Sequence, residues 1–233
     1  MTSASDDTAA IDALIARYEG DAEVVNILAN SLVQLMETPS MKKLYHSLRW
    51  RIKEPSHLRD KLLRMLIKRR ARGKTFDVTP ENLYAKVNDL VGVRLLYLHT
   101  SQFPSINEGL QRTFVEYSYR VVEGPEARVW DNEYREIFGA MGVDVTDSPR
   151  MYTSVHYVIE DNSRSKRTAE IQVRTLAEEL WGEVDHTINY PEPSPFLACR
   201  EQIKVLARVT SSATRLVDSI FSTHADGADA TSG

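Results

Sequence analysis

Apolar positions change period twice along this chain. From Ala9 to about Arg51 they recur at helical spacing, with Ile11, Leu14, Ile15 and Tyr18 in one group and Val24 to Met36 in another. Pro39 and Pro55 punctuate that region. A helix is predicted over Ser56 to Arg72, with Ser56 placed to cap it and Leu58, Leu62, Met65 and Leu66 forming one stripe. The period then shortens. Asp89 to His99 (DLVGVRLLYLH) is rich in branched and aromatic residues and reads as a buried strand. Tyr117 to Val122, Ser154 to Ile159 and Thr168 to Arg174 read as three more, the last two joined by a polar stretch of hairpin length. Residues 123–150 look like an excursion from the sheet with one short helix near Asn132 to Met141. Helical spacing then returns. Thr175 can cap a helix to about Asn189 with Leu176, Leu180, Val184 and Ile188 at intervals of four. Pro191, Pro193 and Pro195 form a turn, and Arg200 to Ser222 makes a final amphipathic helix. Its Ile203, Leu206, Val209, Leu216 and Ile220 suit either a core or an interface. The order of elements predicts one α+β domain, a mixed β-sheet flanked by helices, with no internal repeat.

Composition narrows the setting. With 42% apolar and 27% charged residues the chain can bury a core and keep an ordinary soluble surface. A net charge of −4 argues against a general polyanion binder. The one cysteine, Cys199, excludes an internal disulfide framework and fits a reducing compartment. No apolar run approaches the roughly 18 residues a bilayer requires, and the first ten residues lack a secretory pattern. The expectation is a cytoplasmic protein with no membrane partner. The small polar ends, residues 1–8 and 225–233, are expected to be disordered.

Charge is uneven, however. Residues 59–74 hold eight Lys or Arg against one acid, Asp60. Such a run suits a solvated helix face as well as an anion site. Arg51, Lys53 and Ser56 (RIKEPS) at the mouth of the same helix bring in the second reading, because a helix N-terminus preceded by cations suits a triphosphate. Two acids stand at strands. Asp89 opens one, and Glu170 alternates with Ile171 and Val173, so it points away from the apolar pair. Each alone is an ordinary strand cap or solvent-facing acid. As a pair they could hold Mg²⁺ against phosphates and orient an attacking hydroxyl. Tyr152, Ser154 and His156 share one side of a strand or its entry, a grouping able to stack a base and reach a phosphate, or simply to sit half-buried.

Together these segments resemble the synthetase domain of the RelA/SpoT family, above all its small single-domain alarmone synthetases. The resemblance runs from about Arg51 to Tyr190 through RIKEPSHLRDKL, NDLVGVR, YTSVH, EIQVRT and WGEVDHTINY in the family's order. It divides the chain into N-terminal helices (9–50), a synthetase core (51–190) and a C-terminal helix (191–224). It implies a nucleotidyltransferase-like fold and transfer of pyrophosphate from ATP to the 3′-hydroxyl of GDP or GTP, giving (p)ppGpp. By the same resemblance Arg51, Lys53, Ser56, Lys61 and Arg94 meet ATP, and Asp89 holds Mg²⁺. Glu170 activates the hydroxyl or assists the metal. Tyr152 stacks on guanine, His156 lies near its phosphates, and Asn189 contacts the base. The hydrolase domain's His-Asp dipeptide is absent, so product hydrolysis is not expected.

Departures fall on the acceptor side. Met151 and Thr153 flank the tyrosine where the family commonly has Gly and Arg, and Ser148 stands where a lysine is usual. Arg128, Arg135 and Arg150 are nearby replacements. The altered loop keeps two other readings in play: a toxin-like pyrophosphokinase acting on the tRNA 3′ end or adenine nucleotides, and a non-catalytic nucleotide- or RNA-binding module. A second copy of the chain and an antitoxin are further partners the sequence leaves open.

Overall fold

A computed structural model describes residues 4–190 and 192–231. Six strands form one sheet: β1 (Ser47–Ile52), β2 (Val91–Tyr97), β3 (Arg120–Val129), β4 (Asp144–Asp147), β5 (Ser154–Glu160) and β6 (Thr168–Thr175). Their spatial order is β1-β2-β6-β5-β3-β4. The β2–β6 and β3–β4 pairs are parallel, and the β1–β2, β5–β6 and β3–β5 pairs antiparallel. The helices are α1 (Ala4–Gly20), α2 (Ala22–Met36), α3 (Pro39–Lys42), α4 (Pro55–Arg70), α5 (Leu83–Lys86), α6 (Phe103–Glu116), α7 (Asn132–Ala140), α8 (Leu176–Asn189) and α9 (Leu197–Thr231).

Alternation along the strands divides the sheet into a dry and a wet face. Val91, Val93, Leu95, Val155, Tyr157, Ile171 and Val173 point to the dry side. There they join Phe103, Ile106, Leu110 and Phe114 of α6 in the main core. The wet side carries Arg49 and Arg51 of β1, Gly92 and Arg94 of β2, and Glu170, Gln172 and Arg174 of β6. Register sets these residues side by side: Arg51 lies opposite Gly92, Gly92 beside Glu170, and Gln172 opposite His156. Helix α8 covers this polar face, and α9 packs along α8.

The mixed sheet flanked by helices is as the sequence predicts; several boundaries are not. Residues 47–52 form a strand where helix is expected, since SLRWRI alternates apolar Leu48, Trp50 and Ile52 with Ser47, Arg49 and Arg51 at period two. The strand expected at Tyr117–Val122 starts at Arg120 and runs to Val129, so part of the excursion belongs to the sheet. Helix α6 and strand β4 are additional. Ser56 does not cap α4: Glu54 is the N-cap and Pro55 takes the first turn, where a missing N–H costs nothing. Residues 4–8 and 225–231, expected to be disordered, are helical because they extend α1 and α9. The same expectation for residues 1–3 and 232–233, and Pro191 of the turn, lie outside the described residues.

Helix α8 inverts a natural reading of its pattern. Leu180 and Ile188 are exposed, while Glu178, Glu179 and Trp181 are buried. The helix faces cations on the sheet, so its inward side is charged. On α9, Ile203 is buried and Leu206 packs beside Trp181, but Val209, Leu216 and Ile220 are exposed.

Candidate active site

Asp89 stands just before β2, gripped from two elements. Lys61 of α4 donates to its Oδ1 at 2.7 Å, and Lys53, after β1, reaches Oδ2 at 3.0 Å. Burial alone would push this carboxyl up, but the two ammonium groups outweigh it and hold it below the ordinary aspartate range. Burial lowers the Lys53 ammonium, against the pull of Asp89.

Glu170 lies inside β6 with both oxygens engaged. His156 Nδ1 is 2.9 Å from Oε1, and Gln172 Nε2 donates to Oε2 at 2.9 Å. Burial opposes ionisation here also, yet the bonds and charge of His156 and Gln172 hold the carboxyl down at about 2. His156 is therefore the partner of Glu170, and its Nε2 is buried without a hydrogen-bond partner.

Three adjoining cavities surround these acids: both line the central one, Asp89 also lines the second, and the third joins the central one through Arg94, Gln172 and His186. A central one of about 300 Å³ is lined by Arg49, Arg51, Asp89, Gly92, Arg94, Glu170, Gln172, Glu183 and His186. On one side lies a cationic cavity of about 510 Å³, bounded by Arg51, Lys53, His57, Lys61, Arg64, Lys68, Asp89, Arg150, His186 and Tyr190. Its far wall is aromatic: His186 stacks on Tyr190 at 4.5 Å, and the Arg64 guanidinium sits 5.9 Å over the same ring. On the other side a cavity of about 320 Å³ is bounded by Arg94, Arg150, Tyr152, His156, Arg174, Trp181, Asp185 and Asn189. Tyr152 stacks on Trp181 at 6.2 Å with 15° between the rings. Arg128 is bonded by Tyr152 and Glu126, which raise it against the opposing effect of burial.

A buried acid organises the arginines between these spaces. Glu179 of α8 accepts from Arg49 at 2.7 Å and from Arg94 at 3.2 Å, and pairs with Arg174. Gly182, one turn on, makes room: a Cβ there would lie 2.9 Å from Arg174 Nη1.

The residues singled out from sequence mostly converge. Arg51, Lys53, Lys61, Arg94, Asp89, Glu170, Tyr152, His156 and Asn189 all line the three cavities. Ser56 is exposed in the first turn of α4 and lines none of them. Asn189 is committed to structure: it donates to Asp185 at 2.8 Å and accepts the Ser194 N–H at 3.0 Å. Sequence reasoning passed over His57, Tyr190, Glu179 and Asp185. Tyr190 closes the recognised WGEVDHTINY string, but its contacts with Arg64 and His57 depend on how α8 meets α4.

Among the described residues no three or more His, Cys, Asp or Glu side chains cluster as a ready cation cage. That suits Mg²⁺, which keeps waters and takes one or two carboxylates plus nucleotide phosphates. Asp89 and Glu170, two ionised carboxylates lining one cavity, fit that donor set.

Comparison with known proteins agrees with this geometry. Residues 50–194 match the family described as "Region found in RelA / SpoT proteins". The chain belongs to the RelA/SpoT family. No curated protein matches it. Among solved structures it is similar to a GTP pyrophosphokinase family protein from Streptococcus pneumoniae, at 18% identity with 97% of each chain covered and a TM-score of 0.61. It is also similar to small alarmone synthetase 1 from Bacillus subtilis, at 17% identity, covering 91% of this chain and 98% of that one, TM-score 0.60. The same Bacillus protein bound to its product pppGpp matches at 18% identity, covering 91% and 95%, TM-score 0.55. Among the described residues no helix is long and apolar enough to cross a membrane.

Proposed function

We propose that this chain is a pyrophosphokinase that transfers the terminal pyrophosphate of ATP to the 3′-hydroxyl of GDP or GTP. The observation that carries the reading is that Asp89 and Glu170 line one cavity between a cationic pocket and a Tyr152-floored pocket. Arg51, Lys53, Lys61 and Lys68 would neutralise the ATP phosphates, with the His186–Tyr190 wall against adenine and Arg94 at the junction. Ser56 would contribute only at the rim. Tyr152 offers its ring to the acceptor base, and Asp185, fixed by Asn189, can accept from an amide-bearing base edge such as guanine's.

Mg²⁺ held by Asp89 and Glu170 would neutralise charge on the phosphates. The acceptor 3′-oxygen attacks the β-phosphorus of ATP, the bond from that phosphorus to the AMP oxygen breaks, and AMP leaves. Glu170 is ionised and pinned by His156 and Gln172, so it orients the hydroxyl and receives its proton as the new bond forms. A carboxylate this acidic is a weak base. Positioning and charge neutralisation therefore supply most of the acceleration, as loose phosphoryl transition states allow. The ATP dependence and the unpaired Cys199 fit the cytoplasm.

The test is incubation with γ-labelled ATP, Mg²⁺ and, separately, GDP, GTP, AMP, ADP and bulk tRNA. Label on GDP or GTP supports the proposal. Label on tRNA or adenine nucleotides alone overturns the acceptor, and absence of label everywhere overturns the enzyme.

A further inference from the structure

A buried carboxyl that the reaction above does not use lies directly behind the acceptor loop. Glu178, in the first turn of α8, is 3% exposed. Its Oε2 accepts the backbone N–H of Thr153 at 3.0 Å, while its Oε1 is buried with no hydrogen-bond partner. Thr153 follows Tyr152 directly. The Tyr152 N–H reaches Ser148 Oγ at 3.4 Å, and Met151 before it is held at φ 60°, a left-handed conformation that a residue with a Cβ resists. A strained turn thus precedes the tyrosine and an anchored amide follows it. Three residues along the same helix Trp181 stacks on the Tyr152 ring, so α8 grips both the backbone and the side chain of this loop.

The charged and titratable groups facing Glu178 are Arg174 of β6, Asp131 at the start of α7 with its partner Arg215 of α9, Tyr134 of α7 and Tyr97 of β2. Burial, aided by Asp131, outweighs Arg174 and the Thr153 amide and pushes the carboxyl up to about 7. An apolar side chain would fill the place without that penalty. What the acid supplies that an apolar side chain would not is an acceptor for the Thr153 N–H.

We propose that Glu178 is the positioning residue for the acceptor: its carboxyl fixes the 148–153 loop, and through it the Tyr152 ring, in the geometry that stacks the acceptor base. The inference rests on the reading of Tyr152 as the stacking platform. Glu178→Leu removes the acceptor of the Thr153 N–H and should raise the GDP or GTP KM about tenfold, leaving the ATP KM and the kcat at saturating acceptor within about twofold. Glu178→Gln keeps an accepting oxygen and should match the native KM near pH 6. As pH rises from 6 to 8 the native carboxylate gains charge and strengthens its bond, so the native acceptor KM should fall severalfold relative to that of Glu178→Gln. Equal losses in both KM values for Glu178→Leu, or a native-to-Gln ratio constant across pH, would overturn the proposal. Should Glu178→Leu fail to fold, the Gln comparison decides alone. Tyr152→Ala separates the two layers. An acceptor KM unchanged in Tyr152→Ala refutes the stacking platform itself. A KM raised in Tyr152→Ala but not in Glu178→Leu refutes only the role of Glu178.

Discussion

Asp89 and Glu170 are both ionised despite partial burial, and for different reasons. Two lysines supply opposite charge to Asp89; a histidine and an amide supply hydrogen bonds to Glu170. Asp89→Asn and Glu170→Gln keep the shapes and remove the charges. Each should lower kcat by at least about 100-fold with the circular dichroism spectrum unchanged. Near-native turnover in either variant would refute that residue's role. Glu178 makes a prediction of opposite sign. Its folded pKa is raised, so its contribution to stability is full below its unfolded value near 4.5 and is lost as pH rises through about 7. Glu178→Gln should therefore raise the melting temperature at pH 8, by up to about 3 kcal/mol of stability or roughly 6–12 °C, and leave it unchanged at pH 4.5. A melting point lowered at pH 8 would contradict the unfavourable burial. At this scale the sequence made the acids and Tyr152 visible because their types carry the chemistry. It did not show His156 bonded to Glu170, since that pairing exists only through the β5–β6 register.

At the scale of elements, the long final helix is held by polar joints as much as by its core. Asp218 accepts the N–H groups of Thr100 and Ser101 at 3.0 and 2.9 Å and the Ser101 hydroxyl at 2.8 Å. Arg215 pairs with Asp131 at 3.0 Å. Asp218→Ala leaves those amides without their acceptor and should cost about 2 kcal/mol, read as a melting temperature lower by about 4–8 °C. No shift would mean that α9 is held by apolar packing alone. Strand β3 carries the other sharp constraint. Gly124 has φ +87°, and a Cβ there would lie 2.2 Å from the His156 carbonyl oxygen. Gly124→Ala should lower the urea midpoint by the equivalent of about 2–4 kcal/mol and reduce turnover by shifting His156. A native midpoint and rate would refute the close approach. Elements with a clean period were legible: α4, α8, β2, β5 and β6. Strand β4, with four residues, is too short to show a period, and β1 was obscured by the helices before it.

For the molecule as a whole, the cleft joins parts of the chain that are far apart in sequence: Lys53 and Lys61, Asp89, Tyr152, Glu170 and His186. A ligand seated there bridges α4, the sheet and α8. A non-hydrolysable ATP analogue with Mg²⁺ at 100 times its Kd should add about 2.7 kcal/mol and raise the melting temperature by about 5–10 °C. In Lys61→Met the shift should shrink; an undiminished shift would place ATP elsewhere.

The order of polar and apolar positions was enough to determine an α+β domain with helices before and after a set of strands, because period two and period 3.6 are local properties of the chain. The string order from Arg51 to Tyr190 was enough to reveal the family. Which face of α8 turns inward was decided only by the tertiary structure. Leu180 and Ile188 look like a buried row, yet the helix lies over Arg49, Arg94 and Arg174, so burying Glu179 pairs charge with charge, and Glu178 beside it meets the Thr153 amide. The meeting of Asp89 and Glu170 in one cavity was decided there too, since parallel pairing of β2 with β6 sets Gly92 beside Glu170 across 77 intervening residues. Such pairing depends on long-range register, which no local pattern encodes.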